Sequence, residues 1–298
     1  MSTTTTPKIP TFEPPSRNPP TTPLSSFLGL LQSSVFSLSY LFAPVYLLSA
    51  LPVALLYGRS HVFLVAAYVS PLLLSAAIPP IHSPGVVKRL TAMLTYFDYE
   101  EIHEISDAAM LAHFATGKSF VLAAQPHGVI SFTGMCSAVY CVDEFRKIKT
   151  AVASVLMSVP ILKHVLGIYG LVDASAGSLK RHFKKGGVHG SIVIYIGGIA
   201  ELFKSSRKEE RLYLNERKGF IKMALREGVD VIPIYLLGNT SVLTVLKSGP
   251  LASLSRKLQV TITYFWGRGG LPIPRPDKLI YIRGRPLGLR KLSVVCWG

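Results

Sequence analysis

Charge is scarce in this chain, and negative charge is the scarcest. Only 16 of its 298 residues are Asp or Glu, and charged residues of both signs make up 16%, against about 25% in an average soluble protein. Cysteine is rarer still: three residues allow at most one bridge, which excludes a secreted disulfide scaffold. Several chemical signatures are missing too. Gly117-Lys118-Ser119 has the end of a phosphate-binding loop, but Ala112 stands where that loop needs a glycine to wrap backbone amides round phosphate. No Gly-x-Gly-x-x-Gly follows a strand and no Gly-x-Ser-x-Gly elbow exists, which removes the dinucleotide fold and the simplest serine hydrolase. His103-Glu104 has Asp107 where a zinc-binding helix needs a second His, and Cys136 and Cys141 have no partners at zinc spacing. No metal is expected.

What is present is grease and positive charge. Hydrophobic residues make up 49%, and 32 Lys and Arg give a formal charge of +16; mean hydropathy is +0.39. So apolar a chain can build a core, which excludes disorder as its main state. Apolar and basic together point to a membrane protein facing anionic surfaces or ligands. Nucleic acid is not an expected partner, because neither an RNA-recognition aromatic signature nor a helix-turn-helix pattern accompanies the charge.

The two properties separate along the chain. Residues 1–26, rich in Pro, Thr and Ser, have no apolar period and read as a disordered tail. Asn18 to Gly58 contains no charged residue, and Phe27–Tyr57 is long enough to cross a hydrocarbon core of about 30 Å. Val62–Val87, also uncharged, follows a short Gly58–His61 turn; Pro79, Pro80 and Pro84 end its helix near Ile78. Residues 27–87 are therefore expected to form a membrane helical hairpin, although a buried helix pair in a soluble domain has a similar pattern. Most flanking Lys and Arg lie outside the turn, which places tail and main domain in the cytosol.

Residues 88–298 form the expected main domain, with 27 basic against 15 acidic residues from 91 onward. Ser119–Ala124, Ser191–Ile196, Val229–Leu236 and Val260–Phe265 are short, apolar and β-branched or aromatic, and read as buried strands. Helical patterns at Leu179–Lys185 and Lys218–Arg226 lie between them. The alternation predicts an α/β layered domain with a central sheet and flanking helices.

Gln125-Pro126-His127-Gly128 follows the first strand. A strand ending in such a turn exposes an imidazole at the sheet edge, where a neutral His can act as general base. A loop His that caps the next helix fits the tetrapeptide equally well. Further on, Gly197-Gly198-Ile199-Ala200-Glu201 closes a strand, Arg217-Lys218-Gly219-Phe220 opens a helix, and Ala224, Gly228, Pro233 and Gly238 continue the series. Tyr96-Phe97 sits just after the apolar region. In this order and spacing, from about Phe27 to Leu287, these residues resemble the type-2 diacylglycerol acyltransferase family, which includes monoacylglycerol and wax-ester acyltransferases. The chain departs from that pattern at Asp98, where the family has Pro, at Gln125, where it has His or Glu, and at Asn239, where it usually has Glu. The family also continues with a further helical segment beyond the position of Gly298.

The resemblance implies an acyltransferase-like fold and acyl transfer from acyl-CoA to a lipid hydroxyl, foremost diacylglycerol to triacylglycerol. The place would be the endoplasmic reticulum membrane, with the lipid droplet as a second location. Acyl-CoA would be a co-substrate, with no cofactor; the bilayer and a lipid alcohol would be the other partners, and a homo-oligomer is left open. Carried over by motif, His127 is the catalytic base. Glu201 is a catalytic carboxylate holding the imidazole tautomer or the acceptor. Gln125 orients by hydrogen bonding, and backbone amides around Gly128 receive the oxyanion. Arg217 is the CoA or acceptor contact, chosen from twelve Lys and Arg in residues 180–226; anionic lipid headgroups would suit that cluster equally. Gly219 and Phe220 complete the substrate-binding set as a close turn and a core anchor. Two alternatives stay open: a non-glyceride acceptor (sterol, terpene, fatty alcohol or specialised metabolite), or a catalytically silent protein of membranes and droplets.

Overall fold

The structure, a computed structural model, describes residues 21–249 and 264–292. Most of the residues expected as a tail, and residues 260–263 of the fourth expected strand, lie outside this range.

Helix α1 (Pro23–Tyr57) starts four residues inside the stretch expected as tail. Its start is specified locally: Thr22 accepts from the Ser25 N–H, Ser25 answers with a bond to the Thr22 N–H, and Pro23 occupies the first turn. One face of its N-terminal half is buried through Gly29, Ser33, Phe36 and Ser37. A Cβ at Gly29 would sit 2.2 Å from the Ala92 carbonyl oxygen, so glycine is what lets α1 approach the short helix Ala92–Tyr96. Further along, α1 leaves Leu48, Leu55 and Leu56 about three-quarters exposed. It is long and apolar enough to cross a membrane, with Pro44 and Pro52 inside it. Helix α2 (Val62–Ala77) is shorter, at 16 residues, and stops one residue before Ile78. Tyr68 on α2 meets α1 through its ring, 4.9 Å from that of Tyr46, and through its hydroxyl, 2.7 Å from Ser49 Oγ.

The main domain is built on a seven-stranded sheet in the order β1-β9-β6-β2-β5-β3-β4. The strands are β1 (Tyr99–His103), β2 (Phe120–Gln125), β3 (Lys149–Val152), β4 (Leu171–Asp173), β5 (Ile192–Tyr195), β6 (Asp230–Leu237) and β9 (Leu279–Arg283). All pair in parallel except β6 with β9. A separate pair, β7 (Thr244–Val245) and β8 (Phe265–Trp266), is antiparallel. The alternation of β2 and β6 sorts their side chains onto two faces. Phe120, Leu122, Ala124, Ile232, Ile234 and Leu236 pack with the helix Phe132–Tyr140 and with Phe36 of α1. Val121, Ala123 and Val231 face Leu179, Phe183 and Ala224, on the helices Ala176–Phe183 and Gly219–Glu227. The result is a mixed α/β fold with helices on both faces of a mostly parallel sheet.

Three expected strands match β2, β5 and β6 to within about a residue; Phe265, the end of the fourth, lies in the small β7–β8 pair. Strands β2 and β5 are neighbours in register, Ala124 opposite Tyr195. Their C-terminal ends therefore deliver the segment after Gln125 and the segment after Tyr195 side by side. This is where ligands bind in open parallel sheets.

Candidate active site

His127 sits two residues beyond β2, after a cis Gln125–Pro126 peptide. Its Nδ1 lies 2.6 Å from the Gly128 carbonyl oxygen. A carbonyl can only accept, so Nδ1 carries the proton and the lone pair is on Nε2. Burial lowers the imidazole pKa from its ordinary 6.5, partly offset by the bond to Gly128, and the ring is neutral at pH 7. The ring packs edge-on against Tyr195, centroids 4.9 Å apart.

The loop that carries this ring is held from three sides. Gly128 has φ +62°, and a Cβ there would lie 2.8 Å from both Nδ2 and the backbone oxygen of Asn239. Asn239 is 1% exposed; its Nδ2 donates to the His127 carbonyl, and its Oδ1 accepts from the Thr133 N–H at 3.1 Å and the Thr133 hydroxyl at 3.2 Å. Thr133 is in the first turn of the helix Phe132–Tyr140, whose own N-cap residue Ser131 makes no side-chain cap bond. Asn239 thus caps that helix from a distant part of the chain and ties it to the histidine loop. From the third side, Glu201 Oε1 accepts the His127 backbone N–H at 2.6 Å.

Glu201 is 1% exposed, and burial raises its carboxyl pKa, opposed by the backbone N–H groups of His127 and Tyr213. The Gly-Gly-x-x-Glu spacing now has a physical reason. A Cβ on Gly197 would fall 2.1 Å from the Glu201 carboxylate, and Gly198 has φ +57°. The sequence suggested that Glu201 would hold the imidazole or the acceptor. Its Oε1 holds the backbone of His127, and the Gly128 carbonyl sets the imidazole tautomer.

Next to this loop opens a cavity of about 960 Å³, at the upper end of the roughly 300–1,000 Å³ usual for small-molecule sites. His127, Ser131, Gly134 and Tyr195 belong to its wall, with apolar side chains such as Leu122, Val155 and Leu166, and Tyr40 of α1. The Tyr195 hydroxyl fits only because position 134 is glycine, whose Cβ would stand 2.3 Å from it. Burial raises the Tyr195 pKa, so the phenol stays protonated and able to donate. Arg217 is on the cavity wall with Lys204 and Tyr213, the Lys204 Nζ 4.0 Å and the Arg217 Cζ 5.4 Å from the Tyr213 ring centre.

The structure thus brings His127, Gly128 and Glu201 together and puts Arg217 on the same cavity. Gln125 ends β2 opposite Tyr235, its Oε1 buried without a hydrogen-bond partner among the described residues. Gly219 is exposed at the start of its helix, and Phe220 packs into the core on the opposite face of the sheet. No group of three or more His, Cys, Asp or Glu able to hold a metal ion occurs among the described residues. Sequence reasoning missed Asn239, Tyr195, Lys204 and Tyr213. Asn239 stood out only as a departure from a pattern, and nothing local marks Tyr195 as more than a strand tyrosine.

Fold and site together define an α/β protein with a neutral histidine at the strand ends of its sheet, facing a large, mainly apolar cavity behind a long apolar helix. The chain belongs to the diacylglycerol acyltransferase family, whose model matches residues 55–278. It is 28% identical to human diacylglycerol O-acyltransferase 2 over 223 residues, covering 68% of this chain and 56% of the relative. It is 27% identical to the Dictyostelium discoideum diacylglycerol O-acyltransferase 2, covering 59% and 58%. With human 2-acylglycerol O-acyltransferase 3 it shares 27%, covering 56% and 59%. The chain thus spans just over half the length of these curated relatives. No solved structure gives a significant match.

Proposed function

We propose that this chain is a membrane-bound O-acyltransferase that moves a fatty acyl group from acyl-CoA to a lipid hydroxyl, with diacylglycerol as acceptor and triacylglycerol as product. The observation that carries the reading is the neutral His127, its Nε2 unprotonated, on the wall of a large, mainly apolar cavity. Nε2 takes the proton of the acceptor hydroxyl as its oxygen attacks the thioester carbonyl. A C–O bond forms, and the carbonyl oxygen becomes an oxyanion. Backbone amides at Gly128 and the Tyr195 hydroxyl are its candidate donors. The intermediate collapses, the C–S bond breaks, and the imidazolium returns its proton to the CoA thiolate. Glu201 and Asn239 position the loop through the His127 backbone.

CoA brings phosphates, and Lys204 and Arg217 offer cations beside an aromatic platform at Tyr213. Helices α1 and α2 are read as the membrane hairpin, holding the cavity against the bilayer from which both lipids arrive. The endoplasmic reticulum and the lipid droplet, with the main domain in the cytosol, fit this arrangement.

The test uses microsomes from a host unable to make neutral lipid. Labelled oleoyl-CoA is supplied with diacylglycerol, monoacylglycerol, a fatty alcohol or a sterol. Triacylglycerol from the first acceptor is the expected product. An ester in another lane instead corrects the acceptor, and no ester from folded, membrane-bound protein refutes the transferase reading.

A further inference from the structure

Residues 205–218 join the helix Gly198–Lys204 to the helix Gly219–Glu227 without forming a helix or strand of their own. They carry Tyr213 and Arg217 to the cavity wall. A loop of that length keeps two side chains in place only if it is fastened, because free backbone is entropically costly to order. Some of its bonds are internal. Ser205 Oγ donates to the Arg211 carbonyl at 3.1 Å and accepts from the Arg211 N–H at 3.0 Å. These bonds shape the loop but do not tie it to the sheet. The ion pair of an exposed Arg207 with Asp277, at 3.6 Å, is a loose tie.

Glu210 makes a closer one. Its Oε2 accepts from the Tyr235 hydroxyl at 2.5 Å, and its Oε1 accepts from the Thr240 hydroxyl at 2.9 Å. Tyr235 is on β6, and Thr240, 8% exposed, is on the short helix Asn239–Val242 that follows β6. A carboxylate only accepts, so each oxygen takes one hydroxyl. Burial and the bond to Glu210 both raise the Tyr235 pKa, and the phenol stays the donor. Thr240 is the neighbour of Asn239, which holds the His127 carbonyl and caps the helix Phe132–Tyr140. Two adjacent residues therefore fasten both sides of the site: Asn239 the loop of the base, Thr240 the loop of Tyr213 and Arg217. Position 239 is also where the chain departs from the family pattern, with Asn for the usual Glu. The carboxylate bound to this helix is the one that Glu210 brings from the other loop.

We propose that Glu210 is a positioning residue for the acyl-CoA donor: through Tyr235 and Thr240 it holds residues 205–218 so that Arg217 and Tyr213 meet the CoA phosphates. It acts through Arg217, and its loss is felt first in donor affinity. The proposal rests on the acyl-transfer reading and names what fixes the donor contacts of that site.

The experiment measures binding of coenzyme A to the solubilised full chain by equilibrium dialysis, beside KM for oleoyl-CoA in microsomes. Glu210→Ala is expected to weaken CoA binding and raise KM by about tenfold, as for the loss of one charge-assisted contact. The kcat on saturating donor should stay nearly unchanged. In Arg217→Ala, which already lacks that contact, adding Glu210→Ala is expected to change either quantity by no more than about twofold. A residue that merely supports the fold would lower the melting temperature and add its full effect to that of Arg217→Ala. Tyr235→Phe keeps the ring but removes one hydroxyl donor, and is expected to shift both quantities in the same direction by about threefold. It decides the matter if Glu210→Ala does not fold. Unchanged CoA affinity in either folded variant, or effects that multiply in the double variant, overturn the proposal. CoA binding that depends on Arg217 and Glu210 in a protein that makes no ester supports the tether and refutes the acyl-transfer reading. Wild type that binds no CoA overturns both.

Discussion

Asn239→Ala tests whether one buried side chain holds the histidine loop and the helix beneath it. Thr133 is 0% exposed, and its N–H is one of the first-turn donors that the helix cannot satisfy internally. Without Asn239 Oδ1 that donor is buried and unpaired, at a cost of about 1–3 kcal/mol. The His127 carbonyl loses its partner as well, and the sum is about 2–3 kcal/mol. For a domain of this size about 2–4 °C accompanies each kcal/mol, so the expected shift is about 4–12 °C downward. The assay is loss of membrane-bound ester synthesis after brief heating, beside a fluorescence melt of the solubilised protein. Asn239→Asp keeps an acceptor for Thr133 but sets a carboxylate against the His127 carbonyl, and is expected to lose at least as much activity. A shift under about 1 °C for the alanine variant, or full activity for the aspartate variant, refutes the reasoning.

The imidazole pKa is lowered by burial, and only the neutral ring accepts a proton. kcat/KM should therefore be level above neutrality and fall as pH drops, with a midpoint below about 6.5; a midpoint above that value contradicts the assignment. Gly128→Ala forces a side chain into φ +62° and against Asn239, so a loss of about 1–2 kcal/mol or more in stability, read from the same melt, should come with weaker catalysis. Arg217→Ala and Lys204→Ala should each raise KM for acyl-CoA, about fivefold to tenfold as expected for one charge-assisted contact, with the kcat on saturating donor nearly unchanged. Tyr195→Phe should lower kcat about tenfold or more if its hydroxyl meets the oxyanion, and leave KM for acyl-CoA in place.

Much of the central sheet was legible because β2 is buried on both faces and β5 and β6 are short, mainly apolar and β-branched runs. Strand β1 was hidden for the opposite reason. Tyr99-Glu100-Glu101-Ile102-His103 looks polar, since Glu101 and His103 face a buried ion network that only the partner strand β9 completes. Strands β3 and β4 are four and three residues long and give no period to detect. At the site, the Pro-His-Gly turn marked His127 as the candidate base, although the fold half-buries the ring that the turn was expected to expose, and family likeness supplied Glu201. What contact Glu201 makes was not legible, because it depends on β2 and β5 being neighbours in register. Asn239, at the start of the short helix after β6, and Tyr195, at the end of β5, reach the loop from far away in sequence, so no local pattern marks them.

The proposed acyl transfer depends on His127 as the proton acceptor. Wild type and His127→Ala, matched for membrane-bound protein, should be compared for the initial rate of ester formation from oleoyl-CoA and diacylglycerol at pH 7.5. Loss of a general base predicts a fall of about 10²–10⁴-fold in kcat, with the melt of the solubilised variant close to that of wild type. A folded His127→Ala that keeps more than about a tenth of the wild-type rate contradicts the account.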